Sequence, residues 1–547
     1  MNAAAPWKLW ANPIIRRYAR SRLRVQGLGI GLILTLMAAG FLFFSTRTLA
    51  LYRGNMPEID AERVPLLPLM VLQALILFFL GTGQVAGGMT GEADEGVLDY
   101  QRLTPLSPLT KVLGYLLGLP LREYALFAGT LPFTAWGLWR GQVPFSAWAS
   151  VYLILLSSTL LYHLTGLVAG TVVKNRRWAF LVSIAVVFGL YTVIPQMAKF
   201  GLTTFKYFTL WPVFEEQMSH FVPRDAGGIF RTVQRMTPEV RFFGLGFSET
   251  VFTLFSQAGL ILTFVVMLWR RWRQPEAHLL GKAWAAGLMV WTQAMLLGNA
   301  LPLIEPGLVF PSRELQRRVF NARGWTPSVS EGMGMIGLYG LVALVLMLVL
   351  TLIVTPSLED QVRGRRRARK LGLSRPPWFS DAATSFWCVL AMAVTGAAGW
   401  FVFARSLIGP AWYAGHSLPS HTPWTFGLVL LAGGLCFHAL LERWGGRRVF
   451  QAVLFAGFAP IMVGATLGAA SDRLLTASLW LIGLSPFAAP VFASQSLLST
   501  ADLPLAAARA IPPAFWFWQT LTALAALTLA HGLWREKKAR AAAEASV

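Results

Sequence analysis

From residue 25 onward, long apolar runs alternate with short polar breaks that are mostly basic. An apolar run of about 18 residues or more reads as a membrane-crossing helix, since about 20 helical residues span the hydrocarbon of a bilayer. On that rule spans fall at 25–46, 64–87, 112–139, 148–173, 178–195 and 249–269, then at 284–304, 334–355, 383–404, 424–441, 449–470 and 513–534. A further run, Leu474 to Ala493, is also long enough. Counting it as a span would leave the basic tail "REKKAR" outside, against the positive-inside rule, so it is expected to dip into the outer face or lie on it. The expected fold is an all-α polytopic integral membrane protein of about 12 transmembrane helices. Both termini are expected in the cytoplasm, and the membrane is expected to be a bacterial-type cytoplasmic (inner) membrane.

The spacing of these runs repeats. Each half gives two spans, a long cytoplasmic loop, two spans, a very short basic loop, one span, an outer segment and a last span. The short basic loops are "VKNRRW" (173–178) and "ERWGGRRVF" (442–450), and the outer segments carry "FTLWPVFEEQ" (208–217) and "IGLSPFAAPVF" (482–492). Parallel repeats of this kind are common in transporters, where two halves enclose a pathway. The domains expected are two six-helix halves, 1–275 with a cytoplasmic segment at 91–108, and 276–547 with a basic cytoplasmic loop at 356–382.

Composition excludes a soluble globule: 55% of the 547 residues are hydrophobic, 13% are charged and the mean hydropathy is +0.55. The net charge of +22 does not point to nucleic acid, because the basic residues cluster in short loops beside apolar runs, where they orient spans and meet anionic headgroups. Cys388 and Cys436 both lie in apolar runs, which gives neither a disulfide scaffold nor zinc spacing. The first apolar run follows five arginines and is too long for a cleavable leader, so it is expected to be retained as a span.

Residues that could carry chemistry are few. No phosphate-binding G-x-x-x-x-G-K-[ST] loop occurs; Gly281-Lys282 is followed by Ala283. The glycines of "GLGIGL" (27–32) are expected to serve close helix packing. Carboxylates are nearly absent from the spans away from their ends, Glu249 standing at the start of one, which disfavours a proton-driven secondary transporter. His163 and His438 occupy the fourth span of each half, where a hydrogen bond to a neighbouring helix is the expected role. Arg122 and Glu123 fall within the third span unless Pro120 ends an interfacial helix at 109–119, the arrangement favoured here. Six basic residues among the eight from Arg363 to Lys370 are expected to meet anionic lipid headgroups. Glu58, Asp60 and Glu62 alternate in an outer loop and raise one alternative, a membrane glycosyltransferase using a lipid-linked sugar, although a solvated loop is the simpler account.

One stretch differs in kind. "GEADEGVLDYQRLTPLSPLTKVLGYLL" (91–117) places four carboxylates, Glu92, Asp94, Glu95 and Asp99, in an otherwise basic protein. It resembles the segment between the second and third spans of ABC exporter permeases of the type-2 class. The resemblance rests on Glu92 or Glu95, Gly96, Val97-Leu98, Thr104-Pro105-Leu106-Ser107 and Leu113-Gly114. "NPIIRRYARSRLR" (12–24) is similar to the basic interfacial helix of that family, and "LSPF" (484–487) to its outer segment before the last span. The resemblance implies a cytoplasmic coupling helix that docks in a groove of a separate ATPase subunit, itself dimeric. Glu92, Asp94, Glu95, Gly96, Val97, Leu98, Thr104 and Pro105 would carry the coupling, with Val97, Leu98 and Leu103 as the apolar face. It implies no catalytic residue, cofactor or metal in this chain. The corresponding loop of the second half, 355–381, lacks the pattern, so any docking of the two halves is unequal.

Overall fold

A computed structural model of the chain describes residues 9–193, 197–198, 200–222, 240–304, 329–408, 416–497, 503 and 505–545. Of the outer stretches read from the sequence, 223–239 and most of 305–333 lie outside the described residues. Among the described residues the chain is helical, apart from connecting turns and one antiparallel hairpin, β1 (Val240–Phe242) with β2 (Leu245–Phe247). It divides into two compact units, residues 1–198 with 203–277, and residues 199–202 with 278–547.

The first unit begins with α1 (Pro13–Arg22), which is short, basic and amphipathic. Ile14, Ile15 and Tyr18 face inward at helical spacing while Arg16, Arg17 and Arg20 face out. The chain then forms α2 (Val25–Tyr52) and α3 (Glu58–Arg63). A nearly continuous rod follows, made of α4 (Leu66–Ala74), a π-helical stretch (Leu75–Gly81) and α5 (Thr82–Asp94). After this come α6 (Val97–Leu103), α7 (Pro108–Gly118), α8 (Leu121–Arg140), α9 (Phe145–Val172) and α10 (Arg176–Thr192). A 3₁₀ turn (Thr203–Phe208), α11 (Trp211–Phe221) and α12 (Glu249–Arg273) complete the unit.

Two expectations change here, and the break favoured at Pro120 is found. The second span was expected to end at 87, but the helix runs on to Asp94 because Met89, Thr90 and Glu92 find partners within the unit. The third span is split at Leu119–Pro120 into α7 and α8, as favoured on the proline argument. Of the glycines at 27, 29 and 31, only Gly31 faces a neighbour, the side chain of Leu126.

The second unit contains α13 (Lys282–Ile304), α14 (Val329–Val354), the basic helix α15 (Leu358–Lys370), α16 (Phe386–Leu407), α17 (Thr422–Trp444) and α18 (Gly446–Ala470). The apolar run from Leu474 becomes two nine-residue helices, α19 (Leu475–Gly483) and α20 (Ala489–Leu497). At about 1.5 Å per residue each is about half the thickness of a hydrocarbon layer. Ser485 holds the break between them, donating to the carbonyl of Gly457 at 2.6 Å and accepting from the amide of Phe487 at 3.1 Å. The last helix, α21 (Leu505–Ala545), starts before the expected span and passes through Pro512 and Pro513.

Among the described residues eight helical stretches are long and apolar enough to cross a membrane: α2, the stretch Glu58–Asp94, α9, α12, α14, α16, α17 and α18. Several present outward apolar faces of the kind that lipid covers, such as Ile30, Ile33, Met37 and Phe41 on α2 or Phe455, Phe458 and Met462 on α18.

α1 lies along α7, over the pair Gly114 and Gly118 of "GYLLG". A Cβ on Gly118 would stand 2.7 Å from Cδ2 of Tyr18, and one on Gly114 would stand 2.9 Å from Cβ of Ile14. Gly118→Val is therefore expected to lift α1 and cost about 1–3 kcal/mol. Thermal unfolding of the purified protein measures the loss, and Gly27→Val, where no neighbour lies within 4 Å, serves as the control.

Candidate functional site

The segment 91–108 is a helix–turn–helix whose bends follow from its residues. α5 ends at Asp94, and Gly96 takes a left-handed conformation, φ +73°, that a side chain would disfavour. α6 then runs for seven residues. Thr104 turns its hydroxyl back to the carbonyl of Gln101 at 2.7 Å, and Pro105 follows in a position that cannot continue the helix. Ser107 caps α7, accepting from the amide of Thr110 at 3.1 Å, and Pro108 occupies the first turn. "TPLSP" is thus a helix stop followed at once by a helix start.

Glu92 was expected to face a partner, but it faces inward. Its carboxylate accepts from the Arg17 guanidinium, from the hydroxyl of Tyr18, and from the hydroxyl of Tyr115 at 2.6 Å. Its side chain is 13% exposed, against 41% for that of Arg17. Burial pushes the Tyr18 hydroxyl up to about 12 and raises that of Tyr115 as well, so both remain donors at neutral pH. Tyr115 stacks on Trp272 of α12 with ring centroids 5.4 Å apart. Below this cluster, buried Lys111 donates to the carbonyls of Arg102 at 3.4 Å and Thr104 at 3.3 Å, holding the C-terminal end of α6. Asn12, which caps α1, donates to the carbonyl of Thr110 at 2.8 Å.

Leu98 was also expected to fill a partner's groove. It is buried in the unit's own core with Tyr18, Met89, Val112, Tyr115 and Trp272, and Val97 is half-buried. The outward surface is formed by Asp94, Glu95, Gly96, Asp99, Tyr100, Leu103 and Pro105, with Tyr100 69% and Leu103 84% exposed. Asp99 also pairs with Arg102. Tyr100, Arg17, Tyr18, Lys111 and Tyr115 were not identified from the sequence. The inward stripe of α1 at 14, 15 and 18 was the signal that could have found Tyr18.

The remaining candidate residues are absorbed by packing. His163 donates from Nε2 to the carbonyl of Leu77 at 3.0 Å and accepts at Nδ1 from the hydroxyl of Tyr124 at 3.0 Å. Buried Glu123 pairs with Arg122 at 2.9 Å. Glu62 pairs with Arg47 at 2.8 Å, Glu58 with Arg140 at 2.8 Å, and Asp60 stands 3.7 Å from Arg63. With an arginine on each, those three carboxylates do not converge on one point. In the second unit, buried Glu442 accepts from Gln361 at 2.7 Å, Thr384 at 3.2 Å and Lys537 at 2.7 Å, with Nε2 of His438 3.5 Å away. Thr355 hydrogen-bonds Nδ1 of His438 at 3.1 Å. Lys282 donates to the carbonyls of Ser380 at 2.8 Å and Ala383 at 2.5 Å, which explains the Gly281-Lys282 pair structurally.

Comparison of the chain with family models, with curated proteins and with solved structures finds no match.

The Glu92 cluster makes a stability prediction that separates inward from outward carboxylates. Glu92→Ala leaves Tyr18 and Tyr115 without their charged acceptor and is expected to cost about 2 kcal/mol, with Tyr115→Phe costing about half of that. Asp94→Ala and Glu95→Ala, at exposed positions, are expected to stay within about 0.5 kcal/mol of the parent in the same denaturation experiment.

Proposed function

We propose that the chain is the membrane-spanning permease of an ABC-type exporter, driven by ATP hydrolysis on a separate, dimeric ATPase subunit. The observation that carries this reading is the outward face of α6 and its flanks. Two exposed apolar side chains, Tyr100 and Leu103, stand one helical turn apart beside Asp94, Glu95 and Asp99. An isolated exposed apolar residue needs no explanation. This pair sits on a short helix held by a carboxylate cluster at one end and a lysine cap at the other. Apolar anchors ringed by carboxylates suit an apolar groove with a basic rim. Rigid attachment suits a contact through which force passes.

The same reading places segment 91–108 and both termini on the cytoplasmic side of an inner membrane and takes the two units as six-span halves. Four of those twelve spans rest on the sequence runs alone, since α8, α10, α13 and α21 are not among the eight stretches that are long and apolar enough to cross a membrane. It also places α15 against anionic headgroups. Arg363, Arg366, Arg367, Arg369 and Lys370 are exposed there, while Leu358, Gln361 and Ala368 face the unit.

The test is co-expression with a candidate ABC-type ATPase subunit, followed by affinity capture. Leu103→Asp, Glu95→Lys and Gly96→Pro are each expected to reduce the recovered ATPase at least about tenfold, the equivalent of about 1.4 kcal/mol of contact energy. Asp60→Ala, within an arginine-paired loop, is expected to leave recovery unchanged. Capture of no ATPase by the parent chain, or full capture by Leu103→Asp and Glu95→Lys, overturns the proposal.

A further inference from the structure

The buried side of α12 is polar along the half that is far from segment 91–108. The near end of that helix carries Leu268 and Trp272, which pack in the core with Tyr115. The far half buries Glu249, Thr253, Ser256 and Gln257 beside a single large apolar side chain, Phe252, and turns Val251 and Phe255 outward. A helix that faces its own protein with polar groups and its surroundings with apolar ones reverses the pattern of a helix in water, and in a membrane protein such groups mark a polar interior.

Among the described residues three atoms of this strip have no hydrogen-bond partner: Oε2 of Glu249, Oγ1 of Thr253 and Oε1 of Gln257. All three residues are more than nine-tenths buried, and all three atoms can accept a hydrogen bond. The other atoms of the same side chains are engaged. Oε1 of Glu249 stands 3.3 Å from Nζ of Lys206. Nε2 of Gln257 donates to the hydroxyl of Ser158 at 3.0 Å and to the carbonyl of Tyr207 at 3.4 Å. The amide is thereby oriented, and its oxygen faces away from those partners.

Helix geometry sets what can fill the row. Positions 249, 253 and 257 follow at intervals of four, so successive rungs are about 6 Å apart along the axis. Side chains at this spacing can reach one another, yet these three oxygens are not paired with each other. A rise of about 6 Å is about twice a hydrogen-bond length, a gap that one water molecule bridges. We propose that bound water molecules link Glu249, Thr253 and Gln257 into a buried hydrated row along α12. The row begins at the Lys206–Glu249 pair and ends at the Gln257–Ser158 contact. It donates into three oxygens, which selects water or a hydroxyl group over an anion. This inference does not depend on the exporter reading.

Cysteine reactivity tests it in the full chain reconstituted in liposomes, because a thiol ionises and reacts where water reaches it and is inert in apolar surroundings. In a Cys388→Ala, Cys436→Ala background, Thr253→Cys and Gln257→Cys are expected to react with silver ion at least about tenfold faster than Phe255→Cys and Leu262→Cys on the outward side. The reacted fraction is counted from the thiols left for alkylation after denaturation. A rate at 253 no faster than at 255 overturns the proposal. Thr253→Val gives a second readout that needs no cysteine. In a hydrated row it removes a satisfied hydroxyl and Tm falls; in a dry one it removes an unsatisfied hydroxyl, and a Tm that holds or rises overturns the proposal.

Discussion

Everything at the exposed end of the first unit depends on one carboxylate being satisfied inside it. Glu92 draws a guanidinium and two phenol hydroxyls, so α1, α5 and α7 meet at its two oxygens. Removing a buried acceptor of this kind leaves its donors unsatisfied, which costs more than the bonds themselves contribute. The neighbouring features follow from that fixed point. α1 can lie flat because Gly114 and Gly118 leave room for Ile14 and Tyr18. Lys111 can cap α6 because α7 starts immediately after "TPLSP". Leu98 is then turned into the core, and Tyr100 and Leu103 are turned out of it.

The second unit solves a similar problem with different residues. Glu442 gathers Gln361 from α15, Thr384 from the loop before α16, His438 from α17 itself and Lys537 from α21. As with Glu92, a carboxylate at the end of a long helix ties a short amphipathic helix to the bundle. Lys282 holds the following loop by its carbonyls, much as Lys111 holds α6. What differs is the surface left over. The first unit presents carboxylates around two apolar side chains, while α15 presents a run of arginines. The internal framework is therefore alike in the two units where the exposed chemistry is not.

The long helices were legible because an apolar run of fixed length carries its own evidence; α2, α9, α12 and α17 lie within a few residues of their expected bounds. The stop–start at "TPLSP" and the break at Pro120 were legible from proline and serine chemistry. The direction in which Glu92 and Leu98 face was not. An acidic helix end reads as exposed until the partners that bury it are known, and those partners, Arg17, Tyr18 and Tyr115, lie 75, 74 and 23 residues away in the chain. Glu442 was hidden for the same reason inside a loop that reads only as basic. The buried face of α12 was invisible because Thr, Ser and Gln barely lower the apolarity of a span.

A fixed end is useful for transmission only if the rod attached to it is stiff in some places and yielding in others. α5 continues from the Glu92 cluster without interruption to Thr82, where the winding widens into the π-helical stretch Leu75–Gly81. A π turn shifts the backbone hydrogen-bond register and leaves a carbonyl free for another partner. Here the carbonyl of Leu77 is taken by Nε2 of His163, and the other ring nitrogen is held by Tyr124. The widened turn is thus stabilised from α8 and α9, not by its own helix. The histidine read from the sequence as hydrogen-bonded to a neighbouring helix is so bonded here, at the point where the rod leaves ordinary α-helical winding.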